Sequence, residues 1–160
     1  MAAVGTGTPL PLSFAEMLQV RAKIQQGFPN LAATFQVTSD TTPKYNCIAW
    51  AAGDTSRWWW PSTAYYWPSE APRIETLDAF VKAFATLGYT PCADGSLEVD
   101  SEKVAIYCDM GTPTHMARQM RSGAWTSKLG RSWDIGHIAP AEVGGPLYGS
   151  VTLYLSRRRA

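Results

Sequence analysis

Charge is scarce in this 160-residue chain. Asp, Glu, Lys and Arg make up 17% of it, and fourteen basic side chains against thirteen acidic ones leave +1. A nucleic-acid platform draws its affinity from Lys and Arg set against phosphates, so the composition argues for no nucleic-acid partner. Disorder needs low hydrophobicity and high net charge, and 46% hydrophobic residues speak against it. No apolar run approaches the roughly 18 residues of a spanning helix, so no membrane partner is expected. Residues Met1 to Leu12 have neither the basic nor the apolar region of a signal peptide and read as a flexible lead. Cysteine is sparse and odd in number: Cys47, Cys92 and Cys108, with no C-x-x-C pair. That usage fits a reducing compartment, and the expected location is cytoplasmic. The only histidines, His115 and His137, stand far apart, so no metal is expected. No glycine-rich phosphate loop occurs, and the expected cofactor is none.

What the chain does hold is aromatic. Seven Trp and seven Tyr bring aromatics to 12%, and many cluster between Trp50 and Trp67. The length suits one domain, 1–160, that buries roughly two thirds of its unfolded surface without a staple. Ser13 and Glu16 form a capping-box pattern, predicting a helix from about Ser13 to Gln26 that Gly27 closes. Cys47 to Gly53 reads as a short Ala-rich helix with glycine at its end. Leu77, Phe80, Val81, Phe84 and Leu87 recur at helical spacing, predicting a third helix over 75–87. Prolines at Pro61, Pro68 and Pro72 forbid a helix through the aromatic stretch between them. Strands are expected over 103–108, 115–120, 125–129 and 151–155, with a turn at 121–124. The order makes the fold α+β, N-terminal helices packed on a C-terminal antiparallel sheet. Arg157, Arg158 and Arg159 read as a solvated basic tail over 157–160.

Cys47 carries the chemistry. Unpaired N–H groups at a helix N-terminus favour an anion, predicting a thiol pKa below the free value of about 8.5. Nucleophilic cysteine catalysis then needs a base, usually His, and a polar group that orients the base. His115, at the start of a predicted strand, is the candidate base, and His137 reads as a loop residue. Alone, each residue has a plainer reading: Cys47 as a small core side chain, His115 as a buried or surface histidine. The tryptophans are either a flap packed on the core or the wall of a substrate groove. Lys128, expected beside Ala117 on the face of His115, either meets a substrate carbonyl or is simply solvated.

Asn46-Cys47-Ile48-Ala49-Trp50-Ala51, followed by a helix, a sheet and a strand at His115, resembles the papain-like cysteine peptidases and amidases of the NlpC/P60 and CHAP groups. The chain is more similar still to an uncharacterised bacterial family sharing Tyr45–Ala51, Trp58–Pro61, His115–Arg118 and Trp125–Gly130. The resemblance implies a papain-like arrangement and a cysteine hydrolase acting on a peptide, isopeptide or amide bond of a peptide or protein substrate. Carried over residue by residue, Cys47 is the nucleophile and His115 the general base and acid, through a thioacyl intermediate. The orienting residue is left open between Ser127 and Asp134, the latter on an expected loop. Substrate contacts fall to Trp50, Trp58, Trp59, Trp60 and Lys128. The alternative is a non-catalytic binding or immunity-type module using the aromatic segment 58–67.

Overall fold

A computed structural model describes residues 12–160. The expected flexible lead, Leu12 apart, lies outside the described residues. Helix α1 (Phe14–Gly27) starts where the pattern places it: Ser13 Oγ accepts from the Glu16 N–H at 3.1 Å, and Glu16 Oε1 accepts from the Ser13 N–H at 3.0 Å. Helix α2 (Cys47–Ala52) is capped by Asn46 and stopped by Gly53, whose φ of 81° is a left-handed conformation that glycine takes without strain. Helix α3 (Leu77–Ala85) buries Phe80 and Phe84 on its apolar face.

Seven strands follow the chain as β1 (Gln36–Ser39), β2 (Thr90–Cys92), β3 (Ser101–Asp109), β4 (Thr112–Gln119), β5 (Trp125–Lys128), β6 (Asp134–His137) and β7 (Ser150–Arg158). They form one antiparallel sheet in the order β1-β6-β5-β4-β3-β7-β2. Together the helices and this sheet make an α+β fold. The sheet does not lie wholly after the helices, because β1 comes from between α1 and α2 and pairs with β6. Nor is Arg157-Arg158 a loose tail. Both residues continue β7, and Arg157 bonds Glu102 at 3.1 Å and the Leu87 carbonyl at 2.9 Å.

Side chains alternate across a strand, so the sheet separates two apolar layers. Val104, Ile106, Met116 and Leu155 pack with α2, α3 and the aromatic segment. Ala105, Tyr107, Ala117, Trp125 and Ile135 pack with Ile24 and Phe28 of α1. The aromatic segment is pinned to the start of α2: Asn46 Nδ2 donates to the Trp59 carbonyl at 2.7 Å, and Asn46 Oδ1 accepts from the Trp59 N–H at 3.1 Å. Among the described residues no helix is long and apolar enough to cross a membrane.

Candidate functional site

Cys47 opens α2 on the layer that holds Met116. Its sulfur is faced by the N–H groups of Met116, Ile48 and Cys47 itself. The expected acidic thiol is not what results. Cys47 is 6% exposed, and burial pushes its pKa up to about 11 against those N–H groups and the charge of Lys128. A helix of six residues brings too little partial charge to offset the loss of water around the sulfur.

His115, one peptide unit from Met116, points into the other layer. It is fully buried, stacked on Tyr148 with centroids 4.0 Å apart and planes at 4°, and meets Tyr107 edge-on at 5.0 Å. His115 Nε2 lies 2.9 Å from Ser127 Oγ, Ser127 Oγ lies 2.8 Å from His137 Nε2, and His137 Nδ1 lies 2.9 Å from the Ala139 carbonyl. Burial holds both imidazoles below the usual histidine range, His115 well below it, so both are neutral at pH 7.

The partners then fix the tautomers. A carbonyl only accepts, so His137 carries its proton on Nδ1 and offers a lone pair at Nε2. Ser127 donates its hydroxyl proton there and accepts from His115 Nε2–H. That leaves the lone pair on His115 Nδ1, a buried atom without a hydrogen-bond partner among the described residues. Cys47 and His115 are therefore neighbours through the β4 backbone, and no hydrogen bond joins them in this structure.

Ser127 thus reaches His115, and Asp134 does not. Asp134 begins β6 rather than sitting in a loop, pairs in register with Lys128, and its Oδ2 accepts from Ser39 Oγ at 2.5 Å and Tyr45 Oη at 2.8 Å. Lys128 is neither solvated nor on the face of His115. Arg118 pairs with Thr126, not Lys128 with Ala117, so Ser127 takes the face of His115 and Lys128 the opposite one. The Lys128 ammonium is completely buried and donates to the carbonyls of Thr42, Gly130 and Ser132 at 2.9, 2.5 and 2.9 Å. Burial pulls its pKa down to about 8 against the opposing charges of Asp134 and Cys47. Three carbonyls that accept from Nζ keep it an ammonium at neutral pH.

A cavity of about 340 Å³ opens in front of Cys47, walled by Asn46, Trp58, Trp60, Tyr65, Thr114, Gly130 and Tyr148. Of the aromatic candidates, Trp58 and Trp60 line it. Trp50 and Trp59 belong to the core instead: their indole N–H groups bond Thr126 Oγ1 and Asp54 Oδ2, both at 2.9 Å. Tyr148 was not legible as a site residue, since it lies in a glycine-flanked turn without periodicity. Asn46 was within the resembling segment, and its capping role is its structural signal. Among the described residues no three His, Cys, Asp or Glu side chains come together as a metal site.

The chain belongs to the family described as a domain of unknown function (DUF7689), whose model matches residues 36–156, from β1 into β7. No curated protein and no solved structure matches it.

Proposed function

We propose that this chain is a cysteine hydrolase of papain-like arrangement, acting on an amide bond of a peptide or protein. The observation that carries this reading is the His115 ring, anchored at Nε2 through Ser127 and His137 and bare at Nδ1. An imidazole fixed at one nitrogen, with a lone pair on the other, has the form of a general base. Cys47, whose sulfur meets the N–H of Met116, the next residue along β4, lines a cavity.

With the thiol near 11 and the imidazole neutral, the resting pair is uncharged rather than a thiolate–imidazolium pair. Proton transfer then accompanies attack. As Sγ bonds the substrate carbonyl carbon, the thiol proton passes to His115 Nδ1, and the Cys47 N–H stabilises the developing oxyanion. The same proton leaves with the amine as the C–N bond breaks. Water, deprotonated by Nδ1, hydrolyses the thioacyl group and frees the thiol.

The test uses p-nitrophenyl acetate, which asks little of substrate fit. Turnover with a transient acetyl adduct on Cys47 by mass spectrometry is expected. Cys47→Ala should abolish it, and His115→Gln should slow it about a hundredfold. A rate unchanged by Cys47→Ala would sink the reading. One observation favours a second reading, a binding module: Trp58, Trp60 and Tyr65 wall the same cavity while the thiol stays protonated. That module keeps its binding in both variants.

A further inference from the structure

The amide, the aliphatic hydroxyl and the glycine carbonyl on the cavity wall are already engaged. Asn46 Oδ1 accepts from the N–H groups of Ala49 and Trp59, and its Nδ2 donates to the Trp59 carbonyl. Thr114 Oγ1 lies 2.5 Å from the Tyr148 carbonyl, to which it donates. The Gly130 carbonyl accepts from Lys128. No Asp, Glu, Lys, Arg or His lines the cavity. Arg131, which stacks on the Trp58 ring at 5.3 Å, is exposed and not part of the lining.

A charged group entering here would lose water and meet no opposite charge among the lining residues. An aromatic ring would gain the faces and edges of Trp58, Trp60 and Tyr65, an arrangement that adds to area burial. The volume supports a single group. Ligand sites run from about 300 to 1,000 Å³, and about 340 Å³ is at the small end.

We infer that this cavity selects an uncharged aromatic side chain next to the bond presented to Cys47. That such a side chain flanks a cleaved bond rests on the hydrolase reading; the cavity's preference for an uncharged ring does not. Binding is therefore measured on Cys47→Ala, where no chemistry intervenes, by tryptophan fluorescence with N-acetyl-phenylalaninamide, N-acetyl-lysinamide and N-acetyl-glutamic acid amide. The phenylalanine amide should bind about tenfold more tightly than either charged amide. Trp60→Ala should remove most of that preference, and Trp60→Phe should keep it, which separates a lost wall from a lost fold.

Equal binding of the three amides overturns the inference. So does the failure of any of them to bind up to its solubility, or a preference that survives in a folded Trp60→Ala. A ring-selective cavity in a chain that never turns over p-nitrophenyl acetate keeps the cavity's preference and removes the hydrolase. Turnover without ring selectivity does the reverse.

Discussion

The two layers of the sheet treat their buried polar groups in opposite ways. Beneath α2, Lys128 donates to three carbonyls and Asp134 accepts from two hydroxyls. On the α1 side three neutral groups form a chain, His137 to Ser127 to His115, that ends at a nitrogen without a hydrogen-bond partner among the described residues. Burial makes an unmade hydrogen bond expensive in either layer. The difference therefore separates groups that hold shape from a group kept available. Gly130 ties Lys128 to the cavity before Cys47, since its carbonyl accepts from the ammonium and its backbone lines that cavity.

The comparison breaks most visibly at Lys128. Lys128→Met strands three carbonyls and should cost about 3 kcal/mol in urea denaturation. A loss below about 1 kcal/mol would mean that the loops at Thr42 and Gly130–Ser132 do not depend on the ammonium. Ser127→Ala leaves two imidazole nitrogens unpaired and should cost about 2 kcal/mol. It should also mix the His115 tautomers in nitrogen-15 spectra, whereas an unchanged Nε2–H form would show that Ser127 does not set them.

A pH dependence sharpens the comparison. Both histidines have folded pKa values below the unfolded value of about 6.5. As pH falls below that value the unfolded chain takes up protons that the folded chain refuses, so stability drops. The slope approaches about 1.4 kcal/mol per pH unit for each histidine. Urea midpoints at pH 7.5, 6.5 and 5.5 should show the decline, and His115→Gln should remove the larger share of it. A flat profile would place the imidazoles in water.

Part of this was legible in the chain. The Ser13–Glu16 box, the Gly53 stop and the apolar spacing from Leu77 to Phe84 use local chemistry, and those helices lie where that chemistry places them. The strands over 101–109, 112–119, 125–128 and 150–158 contain the predicted runs, each within a few residues. The strands β1, β2 and β6 escaped because they are three or four residues long and carry no alternating run. Thr90-Pro91-Cys92 even contains a proline, tolerated because β2 is an edge.

At the candidate site, Cys47 and His115 stood out by type and by their places at a helix start and a strand start, whereas Ser127 entered only through the resemblance, beside Asp134. The burial of Lys128 was not, because its acceptors are loop carbonyls with no side-chain signature. The raised thiol pKa was illegible for a related reason: it depends on how deeply tertiary packing covers the sulfur, not on its place in a helix.

The strand order has a kinetic consequence. Gln36 pairs with Gly136 and Thr90 with Ser156, so each edge of the sheet closes only when distant parts of the chain meet. Loop closure must be completed before those contacts stabilise anything, which places this chain among slow, topology-limited folders. The β1–β6 pairing also brings Ser39 to Asp134, whose carboxylate accepts from Tyr45 two residues before the thiol. The surroundings of Cys47 therefore depend on a pairing between segments almost a hundred residues apart.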